Sequence, residues 1–471
     1  MYAGLILVLA ARHEPWFDEA QAWLLVRDLS LWDLLAHYLR YEGHPSLWYL
    51  VLWIPVKMGM PYSWLPVIPA AIAIITTWLV LRFSPFPRFL TAMIPFGYFF
   101  LYQYAVIARN YVLIPLGLIL LLVAHRRLRE HPWPYAIMLL FLSHTSVHGA
   151  IIATSFLILD LVSLLADDSV RTPFRHPLWI VAVVFVCSIL LMVWQLWLPR
   201  DVVYTAGKTV KDPVVWMNQT FSGIGWLSAV IFGVSMIWME RQRVLLYYLV
   251  PVCGLMILFM EVFKIWHEGL LFLTWFSAMW LASDRERNAS SSGPAVQQEW
   301  SRFLRRAVYG VIALVFGIQI VWAAKAYGYD VREPYSGGKA CAKYLHQHQL
   351  DNGSLFLIGY NALGVQPYVD RPLFYNYSLP GNVTFWLWSV KDNPFIQYRL
   401  TTDLTGYLEL VQRQKPRRIL LGLNEPNSED LLKTLLDTQP YRQICAFPGE
   451  IIWKGVPIEQ DALVLLERTD E

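Results

Sequence analysis

The chain has 471 residues, of which 56% are hydrophobic and only 15% are charged. Soluble domains usually carry about 25% charged residues, and apolar stretches of about 20 residues, long enough to cross a bilayer, recur through the first two thirds of this chain. The composition therefore excludes a soluble protein. The formal net charge is +3 and the arginines are spread over short loops, so there is no basic face of the kind that binds nucleic acid.

The chain begins with a short apolar segment, Met1 to Ala11, that covers only half a bilayer. We interpret it as a first membrane helix whose beginning is short or missing, with a fully interfacial start as the alternative. A Trp-rich stretch from Arg12 to Gly43 follows, in which apolar residues recur at helical spacing between charges. This pattern is typical of a segment that lies in the membrane interface.

Apolar helices dominate the next 280 residues or so. The longest candidate helix, 135–165, has a polar break at its middle, His144 to Gly149, and could be two half-helices. The pattern predicts a mainly α, polytopic membrane bundle of about 10 to 12 spans. The candidate helices are 46–58, 64–81, 89–104, 111–124, 135–165, 178–198, 220–239, 244–262, 269–283 and 307–324.

Loops rich in Lys and Arg are retained on the cytoplasmic side of a membrane. By this rule the loops 199–219 and 263–268 face outward, and so does everything after Tyr327. The segment 288–298 contains Ser, Gly and Pro without apolar periodicity, which indicates a flexible cytoplasmic linker. The basic loops are Arg126, Arg127 and Arg129; Arg171 and Arg175; Arg241 and Arg243; and Arg285, Arg287, Arg302, Arg305 and Arg306.

From Asp330 onward short strands alternate with helical patterns, which predicts a small α/β domain of about 140 residues. We therefore divide the chain into a membrane domain, 1–327, with a first outer loop at 12–45, and an extracytoplasmic domain, 328–471. Cys341 and Cys445 in this domain could pair. The predicted strands are 354–359, 372–377, 417–423, 444–447 and 462–467.

Two adjacent acids, Asp18 and Glu19, lie in the first outer loop. A solvated helix start would account for them, because acids are favoured near the positive end of the helix dipole. Alternatively Asp18 is a general base that takes the proton of an attacking hydroxyl. Glu19 beside it is the second candidate catalytic residue.

A turn at Glu42-Gly43-His44-Pro45 leads into the next apolar helix. Helix starts favour anions through their free N–H groups, so His44, with Glu42 beside it, is a candidate contact for a phosphate or sugar. The alternative is an interfacial His that bonds to lipid headgroups.

Arg109 lies between two apolar segments and is followed by Tyr111. An arginine at this depth is costly unless it is paired or hydrated, and its fork of donors suits phosphate oxygens. We include both residues as substrate-binding candidates, with an Arg that snorkels to the headgroups as the alternative.

Two weaker candidates are Lys264 and His267 in a short outer loop, which could neutralise a lipid phosphate or form an interfacial salt bridge. His144 and His148 share a face on an unbroken helix, but two histidines without a third ligand are weak evidence for a metal. More often such residues bond to neighbouring helices or line a water-filled cavity. We predict no metal site.

Three of these segments together resemble the GT-C superfamily of membrane glycosyltransferases. The resemblance rests on the acidic pair in Phe17-Asp18-Glu19-Ala20, on Gly43-His44-Pro45-Ser46-Leu47-Trp48-Tyr49, and on Tyr104-Ala105-Val106-Ile107-Ala108-Arg109-Asn110-Tyr111. Ser46 stands where members carry Pro, and Ile107 occupies an acidic position. The superfamily includes protein mannosyltransferases, aminoarabinose transferases and lipopolysaccharide-core transferases.

The resemblance implies an inverting hexosyl- or pentosyltransferase that moves a sugar from a polyprenyl-phosphate donor to a glycan, lipid or protein acceptor outside the cytoplasmic membrane of a bacterium. It implies no required cofactor, although a divalent metal stays open because oligosaccharyltransferases of this fold use one. The alternatives are a ligase or polymerase of lipid-linked glycans, a polytopic transporter, and a scaffold for another transferase.

Overall fold

The computed structural model describes all residues except 129, 167–174, 204–211, 289–294, 378, 380–382, 394, 397–403, 425–426 and 471. The longer helices are α1 (Tyr2–Arg12), α2 (Phe17–Asp28), α3 (Leu47–Lys57), α4 (Val67–Phe83), α5 (Arg88–Met93), α6 (Leu113–His125), α7 (Pro132–Ser143), α8 (Val147–Ala166), α9 (Arg175–Gln195), α10 (Pro213–Phe221), α11 (Gly225–Arg241), α12 (Leu246–Glu261), α13 (Glu268–Asn288), α14 (Ala295–Arg332), α15 (Gly338–Gln347), α16 (Thr405–Gln414) and α17 (Ser428–Thr438). Further helical segments are 3₁₀ or π helices or have at most four residues. They are Leu31–Asp33, Leu34–Tyr38, Leu39–Glu42, Tyr62–Trp64, Ile94–Phe96, Phe99–Gln103, Asn110–Val112, Ile265–His267 and Tyr360–Tyr368.

Large apolar side chains cover the outer face of the helices. On α9, Trp179, Val183 and Leu190 are all more than half exposed, and Ile257 on α12 is 73% exposed. Such a surface is stable against lipid rather than water. Among the described residues, three helical segments are long and apolar enough to span a membrane, Tyr62–Phe83, Val147–Leu164 and Arg302–Arg332. The chain is thus a mainly α membrane protein, as predicted.

The number of spans stays a prediction, because several apolar helices are short. In the described part of the chain, six have only 10–17 residues, and α10 with α11 passes as one span only if an 83° bend is allowed. These six are Tyr2–Arg12, Leu47–Lys57, Asn110–His125, Pro132–Ser143, Trp179–Gln195 and Leu246–Glu261.

Some predicted helices are interrupted. The polar break in 135–165 separates α7 from α8, as the sequence suggested. The single helix predicted at 89–104 is wrong. The helix α5 ends at Met93, and it is followed by a short 3₁₀ helix, Ile94–Phe96, and a short π-helix, Phe99–Gln103. Pro95 lies in the first of these segments and removes one backbone donor there, which disfavours a regular α-helix.

A small sheet lies in the C-terminal region. Its strand order is β1 (Phe356–Ile358), β2 (Arg418–Gly422), β6 (Leu463–Arg468) and β3 (Tyr441–Phe447). β1 and β2 are parallel, whereas β6 is antiparallel to both β2 and β3. The strand predicted at 372–377 is wrong, because only an isolated bridge between Leu355 and Phe374 forms there.

A hairpin that the sequence analysis missed joins this sheet to the membrane helices. It consists of β4 (Glu450–Trp453) and β5 (Val456–Gln460). Its tip, Lys454-Gly455, lies against α14 and the start of α13: the Lys454 Nζ is 3.0 Å from Glu268 Oε2 and 4.4 Å from the centre of the Trp322 ring. A side chain on Gly455 would collide with the Lys325 backbone, so this contact requires glycine.

The first outer loop, which is predicted to lie in the membrane interface, packs against the C-terminal region. Most of α2 is buried. Gln21 accepts a hydrogen bond from the Trp386 N–H at 2.9 Å and donates to the Trp386 carbonyl at 2.7 Å. Phe17 makes an edge contact with Tyr360, with ring centres 4.6 Å apart. The first outer loop and the C-terminal region thus share one hydrophobic core, and the division of the chain at 327 stays a prediction.

The remaining predictions concern cysteines and loops. Cys341 is buried and Cys445 is half-buried, and both are free thiols, so the suggested disulfide is absent from the structure. Arg129, Arg171 and residues 289–294 of the predicted linker lie outside the described residues.

Candidate functional site

A cavity of about 360 Å³ lies between the membrane helices and the C-terminal region. It forms where the start of α2, the start of α3, the turn at Asn110–Val112 and the loop before α13 meet. This volume is in the range of small-molecule sites. Of the predicted site residues, Asp18, Glu42, His44, Arg109, Tyr111, Lys264 and His267 line it.

Asp18 and Arg109 form an ion pair in the cavity wall. Asp18 is in the first turn of α2, and Arg109 has extended backbone just before the Asn110–Val112 turn. The guanidinium lies 5.9 Å from the Trp16 ring centre and 5.7 Å from that of Trp266. Burial opposes the charge of Arg109, but the nearby Asp18 carboxylate, Tyr111, Tyr49 and Glu19 together outweigh it and raise the Arg109 pKa. The cavity therefore holds a fixed positive charge.

Glu19 lies behind this pair and outside the cavity lining. Its side chain is fully buried, 3.1 Å from His13 Nε2, and it accepts hydrogen bonds from the backbone N–H groups of Trp16 and Ala108. The structure therefore separates the Glu19 carboxylate from the cavity, and a catalytic role for Glu19 stays a prediction. Through Ala108 it supports the residue next to Arg109.

Gly43 creates the turn that brings His44 to the cavity. It adopts a φ of 68° after the short helix Leu39–Glu42, a conformation that favours glycine. The His44 Nε2 then lies 3.4 Å from an Arg109 guanidinium nitrogen. Burial and the nearby Arg109 charge lower the His44 pKa to about 3, so the ring is neutral at physiological pH.

Glu42 lies beside His44 in the same wall. Burial raises its pKa to about 8, although the Gln21 amide, which donates to it at 2.8 Å, opposes the shift. At neutral pH the carboxyl is therefore mostly protonated and can donate a hydrogen bond. Gln21 also bonds to Trp386, so Glu42 is linked to the C-terminal region.

His267 and Tyr111 meet on the opposite wall. The Lys264 backbone N–H donates to His267 Nδ1 at 3.1 Å, so the neutral ring carries its proton on Nε2, 3.0 Å from the Tyr111 hydroxyl oxygen. Burial lowers the His267 pKa well below its usual value. The Lys264 ammonium lies at the cavity mouth, 6.0 Å from the centre of the Trp266 ring.

The cavity lining has an apolar part and a part from the C-terminal region. The apolar part consists of Leu258, Val262 and Phe263, and Val262 is 53% exposed. The C-terminal region contributes Tyr360 and Trp388, together with Glu459 of β5. The sequence analysis missed Tyr360, Trp388 and Glu459, because no local pattern connects them with a loop more than 300 residues away. It considered His148, which also lines the cavity, as a weak metal candidate or as a residue that bonds to a neighbouring helix or lines a water-filled cavity.

Among the described residues, no group of three or more His, Cys, Asp or Glu side chains could hold a metal ion. No protein-family model and no curated protein matches the chain. One solved structure with similarity is the arabinofuranosyltransferase AftD from Mycobacteria, with a TM-score of 0.43 and 12% identity over the whole of this chain. The match covers 39% of that protein, so this chain spans about two fifths of its length.

Proposed function

We propose that this protein transfers a sugar from a polyprenyl-phosphate donor to an acceptor hydroxyl, with inversion at the anomeric carbon. One observation carries the proposal: a carboxylate, Asp18, and a fixed cation, Arg109, meet in a single cavity that is lined by both apolar and polar side chains. A lipid-linked sugar needs both kinds of side chain, because its tail stays in the membrane while its phosphate and sugar require polar partners.

The donor enters past Leu258, Val262 and Phe263, where the prenyl chain contacts the apolar end of α12. Its phosphate lies between Arg109 and the neutral His44, with Lys264 at the mouth. Charge grows on this phosphate as the bond to the sugar breaks, and preorganised donors lower the energy of that state. The Arg109 fork suits two phosphate oxygens, so donor binding draws Arg109 away from Asp18 and frees the carboxylate.

The acceptor hydroxyl attacks the anomeric carbon from the side of Asp18. Its oxygen forms the new glycosidic bond, its proton goes to Asp18, and the bond between the anomeric carbon and the phosphate oxygen breaks. The electron pair leaves with the lipid phosphate. In this scheme the protein's own cations neutralise the leaving group. Tyr360 and Trp388 form the wall against which the acceptor lies, and protonated Glu42 donates a hydrogen bond to a sugar hydroxyl.

Lipid and glycan mass spectrometry of cells that lack the gene tests the proposal. We expect a polyprenyl-phosphate sugar to accumulate and an acceptor to lack one sugar. The wild-type gene should return the donor to its normal level and complete the acceptor. The control Asp430→Asn, which removes an exposed acid of α17, should do the same. Asp18→Asn restores neither although the protein is inserted in normal amounts. Unchanged lipid-linked sugars in the deleted cells, or full rescue by Asp18→Asn, would refute the proposal.

A further inference from the structure

His148, the second residue of α8, has two buried ring nitrogens without hydrogen-bond partners among the described residues. The side chain lines the cavity, and the residue is only 6% exposed. Buried polar groups are nearly always paired, because an unpaired one costs about 1–3 kcal/mol. His144, four residues earlier, is by contrast bonded to Ser188 at 2.6 Å.

The surroundings of His148 favour an anion. Its ring centre is 4.5 Å from that of His267 and 6.0 Å from that of Tyr111. Phe259 packs against it from α12, with ring centres 5.8 Å apart, and brings no charge. None of these three rings is acidic. The same cavity is lined by the cations Arg109 and Lys264 and also by three acids, of which Asp18 is paired with Arg109 and Glu42 is mostly protonated at neutral pH, because burial raises its pKa to about 8; the third is Glu459.

We propose that His148 is a phosphate ligand of the lipid carrier, and that it takes up a proton from solvent when the phosphate binds. This inference rests on the proposed function and adds a residue to its donor site. His267 cannot take this role, because its Nδ1 already accepts from the Lys264 N–H and its Nε2 faces Tyr111. His148 has both nitrogens available, so a phosphate dianion beside it favours the doubly protonated, charged ring.

The proton uptake can be counted by calorimetry without any knowledge of the sugar or acceptor. The purified full-length protein is titrated with farnesyl phosphate, a short polyprenyl phosphate, in buffers of different ionisation enthalpy at about pH 7.5, where the phosphate, with a second pKa of about 6, is mostly a dianion. For the wild type we expect an uptake of close to one proton per bound ligand. Inorganic phosphate should bind at least tenfold more weakly, because it lacks the prenyl chain, and farnesol should not compete.

His148→Asn and His148→Gln keep a hydrogen-bond donor but cannot take up a proton. We expect both variants to bind farnesyl phosphate about tenfold more weakly and to take up no proton. His144→Asn, one turn earlier and bonded to Ser188, is the matched control and should behave as the wild type. Gel filtration before each titration verifies that the variants are folded.

Wild-type affinity and proton uptake in either folded His148 variant would refute the role of His148 and leave the proposed function intact. No binding of farnesyl phosphate to the wild type would instead refute both. Equal affinity for inorganic phosphate and farnesyl phosphate would show that the site recognises free phosphate rather than a lipid carrier.

Discussion

Glu19 and His13 form a buried ion pair behind the cavity, with His13 Nε2 3.1 Å from Glu19 Oε2. The other ring nitrogen of His13 is 3.0 Å from Asp330 Oδ2 at the end of α14. The Glu19 carboxylate also holds the backbone of Ala108, next to Arg109. One buried cluster thus joins α2, α14 and the loop that presents the cavity's arginine.

Glu19→Ala is expected to destabilise the protein by about 3–5 kcal/mol, because it leaves the His13 charge with one carboxylate and Ala108 without an acceptor. Glu19→Gln should cost less, since its amide oxygen still accepts from Ala108. Thermal unfolding in detergent, followed by intrinsic fluorescence, measures both. The exposed acid Glu429 provides the control Glu429→Gln. Equal stability of Glu19→Ala and wild type would contradict this role.

The pH dependence of stability should report on His13. Burial lowers the His13 pKa, but Asp330 and Glu19 outweigh it and raise it to about 10. The stability from this charge is fully present below about pH 6.5, the unfolded pKa, and is lost as the pH rises through about 10. The difference in unfolding temperature between wild type and His13→Gln should therefore shrink over that window. A constant difference would mean that His13 is neutral in the folded protein.

Glu42 should have the opposite effect, because its buried carboxyl resists ionisation. Its pKa is raised to about 8, so the folded state keeps a proton that the unfolded state loses near pH 4.5. The wild type therefore loses stability as the pH rises from about 4.5 to 8. Glu42→Gln removes this loss and should be more stable than wild type by about 1–3 kcal/mol at pH 9. Parallel unfolding curves at every pH would contradict the raised pKa.

Arg109→Lys tests the planar fork separately from the charge. Lysine keeps the positive charge but cannot bond two phosphate oxygens side by side or stack between Trp16 and Trp266. We expect farnesyl phosphate to bind about 10- to 100-fold more weakly in calorimetric titrations. Arg88→Lys, at an exposed arginine of α5, should bind as the wild type. Unchanged affinity would place the phosphate away from Arg109.

The tip of the β4–β5 hairpin should be energetically coupled to the membrane helices. Lys454→Met leaves the Glu268 carboxylate buried without its cation, at a cost of about 3–5 kcal/mol. Adding Glu268→Gln should recover part of this loss, so the two changes are not additive. Unfolding temperatures of both single variants and the double variant measure the coupling, with exposed Lys433→Met as control. Additive effects would show that the pair contributes nothing specific.

The amino-acid sequence predicted several residues of the candidate site. Asp18, His44 and Arg109 were predicted because charged or polar residues at the ends of apolar segments need partners, and the structure brings them into one cavity. The sequence could not show that Glu19 lies outside this cavity, because neighbouring residues of a helix point in different directions and tertiary packing decides which of them faces the cavity. His148 was noted, but only the folded chain places it beside His267.

The sequence by itself determined that the chain is a mainly helical membrane protein with an α/β C-terminal region, because apolar length and periodicity are local properties. Only the tertiary structure decided that the first outer loop shares a core with that region, and that β4 and β5 reach the membrane helices. These contacts join residues hundreds of positions apart, such as Gln21 with Trp386 and Glu268 with Lys454. Their energy comes from packing and charge pairing in three dimensions, and no local pattern encodes it.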